Sequence, residues 1–100
     1  MWDNEDWAAR HIKKKHPEVT TKDAWEIVFG DNRVTPLKSP DQIRWPPYSR
    51  YWAIGTTKKG VTLLVVWEVY RSTYNLVTAF PPDKERIVLY ERLKKSKNKR

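Results

Sequence analysis

No cysteine occurs in this chain, so disulfides and thiolate metal sites are excluded and the core has to hold without staples. Histidine is nearly as scarce: there are two, too few to make up a structural zinc site without cysteine. No apolar run approaches the roughly 20 residues that a membrane helix needs. The opening Met1-Trp2-Asp3-Asn4-Glu5-Asp6 is acidic and lacks the basic-then-apolar order of a secretory signal. These absences point to a soluble, cytoplasmic chain with no membrane partner, no metal and no cofactor.

What is present is a single small domain. One hundred residues, 39% hydrophobic, with six Trp and five Tyr, suffice for one core and no second lobe. The formal charge is +8, but it is unevenly placed. Lys94, Lys95, Lys97, Lys99 and Arg100 follow Leu93 without an acidic residue among them. Composition of this kind cannot bury apolar surface, so residues 1–93 are expected to fold and 94–100 to form a mobile basic tail. The folded part is then only modestly basic, and charge alone argues weakly for nucleic acid.

Trp7, Ala8, His11, Ile12 and Lys15 recur by threes and fours, which predicts a helix over residues 4–15. It has to end before His16-Pro17, because the residue preceding proline is pushed out of the α region. A second helix follows, with Thr20 as N-cap, Asp23 in its first turn, Val19 packed on Ala24, and Trp25, Ile27, Val28 and Phe29 on its buried side. Residues 31–49 hold Pro36, Pro40, Pro46 and Pro47 and little periodicity, with a short strand expected near Arg33-Val34-Thr35. Three strands are predicted near 50–56, 61–70 and 74–80, joined tightly enough to form an antiparallel meander. Pro81 and Pro82 end the last strand. Asp83 then caps a third helix running to about Lys95, with Ile87, Tyr90 and Leu93 expected on its buried side. The class is α+β: two N-terminal helices, a sheet of three to four antiparallel strands, and a C-terminal helix.

Several short strings in this order resemble the BrnT family, small RelE-like toxins of type II toxin–antitoxin pairs. In the helices they are Lys15-His16-Pro17-Glu18-Val19-Thr20, Ala24 and Val28-Phe29. In the sheet they are Arg50-Tyr51, Ala53-Ile54-Gly55-Thr56-Thr57, Gly60, Leu63-Leu64-Val65-Val66 and Leu76-Val77-Thr78-Ala79. Glu85-Arg86 followed by Tyr90 completes the set, which spans residues 7–93. The resemblance implies a ribonuclease that cleaves messenger RNA without a metal. It also implies a cognate antitoxin covering the basic surface, and operator DNA met only through the antitoxin complex. The chain departs from the family at Val61, Asn75 and Phe80, where the family usually carries arginines. Either Arg50, Lys58, Lys59 and Arg71 take over, or this chain cuts RNA poorly.

Metal-free RNA cleavage needs a group to accept the 2′-hydroxyl proton, cations for the charge growing on phosphate, and a proton for the leaving 5′-oxygen. His11 and Lys15 share a face of the first helix, and His16 stands just past its end. One histidine, with His16 put first, is the candidate proton shuttle and Lys15 a phosphate contact; the plain alternative is a packed histidine and a solvated lysine run. Arg50 and Arg71 fall toward one end of the meander, with Asn75 between them, as phosphate ligands or as ordinary strand-end charges. Lys58 and Lys59 mark the hairpin tip at the opposite end and can only contact RNA separately. Glu85 and Arg86 stand in the first turn of the third helix. Glu85 serves there as a base or simply as a complement to the helix dipole, and Arg86 as a phosphate clamp. Trp45 and Trp52, beside the proline-rich segment, are candidates to stack a base or meet a partner. Two further readings stand beside the nuclease: a non-catalytic module that binds RNA or protein, and a small DNA-associated protein whose basic tail does the binding.

Overall fold

The computed structural model describes residues 1–30, 34–39 and 48–98. In chain order the elements are α1 (Glu5–Lys15), α2 (Thr21–Phe29), β1 (Leu37–Lys38), β2 (Ser49–Thr56), β3 (Thr62–Tyr70), β4 (Thr73–Phe80) and α3 (Lys84–Asn98). The expected α+β layout is the one observed, with four antiparallel strands in the order β1-β2-β3-β4. No helix among the described residues is long and apolar enough to cross a membrane.

The first strand differs in position. Pairing with the sheet is made by Leu37 and Lys38 against Trp52 and Tyr51, not by Val34 and Thr35. Pro36 lacks an N–H and restrains the residue before it, so the ladder begins only beyond it. Arg33 and Trp45, with most of the proline-rich segment, lie outside the described residues.

Alternation along the strands gives the sheet two unlike faces. Leu63, Val65 and Trp67 of β3 share one face with Ala53 of β2 and with Leu76 and Ala79 of β4. Ala8 and Ile12 of α1 and Ala24, Ile27 and Val28 of α2 cover that face. Gly55 sets how closely α2 can approach: a Cβ there would lie 2.5 Å from Val34 Cγ1 and 2.7 Å from Ile27 Cγ2. Thr20 caps α2 as expected, its hydroxyl accepting from the Asp23 N–H at 3.1 Å.

The β2–β3 hairpin turns through Thr57 to Gly60. The Gly60 N–H donates to the Thr57 carbonyl and the Thr57 N–H to the Val61 carbonyl, both at 2.9 Å. Gly60 has φ 91°, the left-handed residue that such a turn requires and that glycine adopts without cost.

β4 is an edge strand, and the N-terminus closes it. A bulge between Val66 and Trp67 of the partner strand leaves Val77 as an extra residue. Beside it the Asn4 amide donates to the Leu76 carbonyl and accepts from the Leu76 N–H, each at 2.9 Å. Asn4 holds the N-cap position of α1 yet makes no side-chain cap, because its amide is taken up by the strand. Asp3 does the same one register down: its N–H donates to the Tyr74 carbonyl, and its carboxylate accepts from the Tyr74 N–H. The outward backbone groups of Tyr74 and Leu76 are thereby withheld from other chains.

The C-terminal helix sits loosely on the second face. Of the three residues expected to be buried, only Tyr90 is; Ile87 is 37% and Leu93 39% exposed. Helical periodicity identifies residues that share a stripe, but only Tyr90 is buried against the sheet, while Leu93 lines an open groove and Ile87 stays partly exposed. The Tyr90 ring lies edge-on to Trp52 at 5.4 Å, and its hydroxyl donates to the Thr35 carbonyl at 2.7 Å. α3 also continues to Asn98, through residues expected to belong to a mobile tail. Lysine is a good helix former, and cations are favourable near a helix C-terminus.

Candidate functional site

Two clusters, not one, hold the candidate residues. The first forms where the end of β4 meets the C-terminal end of α1 and the first turn of α3. The His16 ring, half-buried just past α1, stacks on Phe80 with centroids 5.8 Å apart. The Arg86 guanidinium lies 5.4 Å from the centre of the same ring, a cation–π distance. Pro81 and Pro82 follow Phe80 directly, and the chain turns there so that the first turn of α3 lies beside Phe80 while Tyr90 further along reaches Trp52 of β2. Arg86 also donates from Nη1 to Asp83 Oδ2 at 2.9 Å, both side chains being about half exposed. Exposed pairs of this kind contribute about 0–1 kcal/mol, so a phosphate can displace Asp83. Lys15 is exposed one residue before His16.

Behind this cluster a groove of about 470 Å³ runs between the second sheet face and α3. Trp52, Leu64, Val66 and Phe80 form its floor, and Arg86, Leu89 and Leu93 its helical wall. Its apolar floor and cationic end suit a base lying beside a phosphate.

The second cluster lies at the other end of the sheet. Phe80 stands opposite Leu64, whereas Arg50 stands opposite Glu68. That is four residues along β3, or roughly 13 Å at strand rise. Arg50 donates from Nε and Nη2 to Glu68 Oε2 at 3.1 and 2.7 Å. Asn75 is the Glu68 partner on β4. With Arg50, Glu68 and Trp7 it lines a hollow of about 290 Å³. Trp7 is half exposed and stacks flat on His11 at 4.7 Å.

Arg71 joins neither cluster. Tyr70 pairs with Thr73, so Arg71 and Ser72 are the whole β3–β4 loop. Arg71 has φ 55°, and its guanidinium lies 5.2 Å from the Tyr70 ring centre. Arg50 and Arg71 lie toward the same end of the sheet, as expected, but in different settings: Arg50 is engaged by the Glu68 carboxylate, and Arg71 is a turn residue beside Tyr70. A non-glycine in the left-handed region costs roughly 1–2 kcal/mol. Replacing Arg71 with glycine is expected to raise stability by about 1 kcal/mol in urea unfolding and to leave any RNA cleavage intact.

The remaining candidates are dispersed. Lys58 and Lys59 sit at the hairpin tip against α2. The Lys58 N–H donates to Glu26 Oε2 at 2.6 Å, and Lys59 Nζ lies 3.6 Å from Asp23 Oδ1. Glu85 is exposed on a flank of α3 beside Val88, Leu89 and Arg92.

Phe80 was the residue that the sequence disguised. Read as the position of a missing arginine, it is instead the ring on which His16 and Arg86 meet. The pair of prolines after it was the only signal in the sequence that the next helix would return to it. Set against protein-family models, curated proteins and solved structures, the chain matches none.

Proposed function

We propose that this chain is a toxin-like endoribonuclease of a type II toxin–antitoxin pair that cleaves messenger RNA without a metal, with His16 and Arg86 as its reacting groups. The observation that carries the reading is their meeting on one ring, although they come from opposite ends of the chain. His16 takes the proton of the 2′-hydroxyl as its oxygen attacks the adjacent phosphorus, and the bond to the 5′-oxygen breaks. The same imidazole returns the proton to that leaving oxygen, giving a 2′,3′-cyclic phosphate and a free 5′-hydroxyl. Arg86 exchanges Asp83 for the phosphate oxygens, where the guanidinium fork stabilises the charge that grows in the transition state. The groove floor at Trp52 and Leu64 holds the neighbouring base. The cognate antitoxin would cover this basic and aromatic surface, and operator DNA would be reached only through that complex.

A second reading has an observation of its own. Arg50 is engaged by Glu68, and Arg71 lies beside Tyr70 in the β3–β4 turn, so neither of these two arginines backs Arg86. A non-catalytic module for RNA or protein fits that geometry. The test is incubation of the purified chain with RNA in EDTA, with the ends of any fragments mapped. Cleavage that falls about 100-fold in both His16→Ala and Arg86→Ala, leaving cyclic phosphate ends in the parent, supports the nuclease. RNA binding without cleavage supports the second reading, and absence of both removes RNA from the account.

A further inference from the structure

The outer stripe of α3, bordered by Leu89 at the rim of the groove, carries a pattern of its own. Glu85, Val88, Leu89 and Arg92 follow the i, i+3, i+4, i+7 spacing and so form one line along the helix. Tyr90, which anchors α3, is roughly 150° round the helix from the middle of that line. Val88 is 57% and Leu89 44% exposed, and neither Glu85 nor Arg92 has an ion-pair partner among the described residues. Two large aliphatic side chains in the centre, one acid at one end and one base at the other, make the stripe complementary to itself.

The geometry points to a second copy of this chain as the occupant, bound through an antiparallel α3–α3 contact about a two-fold axis between Val88 and Leu89. In that arrangement Val88 of one copy meets Leu89 of the other, and each Glu85 faces an Arg92, giving two identical ion pairs. A parallel pairing would set Glu85 against Glu85 and Arg92 against Arg92, so the charges select the antiparallel form, as do the opposed helix dipoles. One short helix pair buries less than the roughly 1,200 Å² of stable interfaces. The dimer is accordingly weak and exchanges with monomer. Of its four residues only Leu89 also lines the groove beside Phe80, and the two charges that set the pairing, Glu85 and Arg92, lie outside that groove, so the inference does not depend on the ribonuclease reading.

Charge reversal tests it through sedimentation equilibrium over a concentration series. Glu85→Arg alone and Arg92→Glu alone each replace two attractions with two repulsions, and each should weaken self-association roughly tenfold. The double variant Glu85→Arg/Arg92→Glu should return it to the parent value. An equimolar mixture of the two single variants should form a heterodimer, because every pair across the axis is then of opposite sign. All four positions are exposed, and circular dichroism confirms that each variant remains folded. A parent chain that stays monomeric at millimolar concentration overturns the inference and leaves the stripe to some other partner. So does a mixture that associates no better than either single variant.

Discussion

Replacement of Trp2 with alanine is expected to remove about 3–5 kcal/mol of stability, a large part of what a domain of this size has. The second residue of a chain is ordinarily frayed; this one is 3% exposed. Its ring stands edge-on to Trp25 at 5.2 Å and contacts Phe29 at 5.8 Å, and its indole N–H donates to the Thr21 carbonyl at 3.1 Å. Trp2 therefore ties the segment before α1 to the start and the face of α2. The adjoining Asp3 and Asn4 hold the backbone of β4. Loss of the indole frees this strap and uncovers the β4 edge together with one end of the core. Trp2→Phe keeps most of the ring contact and loses the hydrogen bond, so it should cost far less, about 1–2 kcal/mol. The measurement is the urea midpoint of the three proteins. An alanine variant that unfolds at the same midpoint as the parent would show that the N-terminal strap contributes nothing.

How far the fold could be read in advance depended on whether the signal was local. The meander was legible because each strand alternates and Thr57 to Gly60 is turn chemistry. The α2 cap was legible because Thr20 and Asp23 have the spacing of the hydrogen bond that forms. Two-residue β1 has no period to detect, and Pro36 displaced it from the place where β-branched residues suggested a strand. The burial of α3 was half legible: Tyr90 is in the expected stripe, but periodicity does not reveal how much of a stripe finds a partner. The site depended most on tertiary position. Arg50 and Arg71 both end strands, yet cross-strand register puts Arg50 opposite Glu68, and a two-residue loop leaves Arg71 in the turn. His16 and Arg86 were singled out in the sequence through the resemblance. Their common ring was not, because no local pattern links the end of α1 to the end of β4.

Removal of the Tyr90 side chain should release α3 while the rest of the chain stays folded. Among its described residues Tyr90 is the one buried side chain of the helix. Replacing such a residue with alanine costs about 3–5 kcal/mol when the loss is fully felt. Here the loss is capped by the docking energy of α3 itself, since an undocked helix has nothing further to lose. Hydrogen exchange should consequently show the α3 amides of Tyr90→Ala exchanging freely, with those of β3 little changed. The parent should approach the same state at alkaline pH. Burial, with the Glu91 carboxylate adding to it, pushes the Tyr90 phenol above its ordinary value of 10.0. Only the neutral phenol can donate to the Thr35 carbonyl. The folded state thus holds its proton to higher pH than the unfolded state does. The stability this contributes is fully present below pH 10 and declines as pH rises beyond it. Tyr90→Phe has no proton to lose, so its α3 protection should start slightly lower, without the Thr35 bond, and then stay level across that range relative to the parent. A phenylalanine variant whose α3 opens with the same alkaline profile as the parent would mean that some other group, and not Tyr90, holds the helix against the sheet.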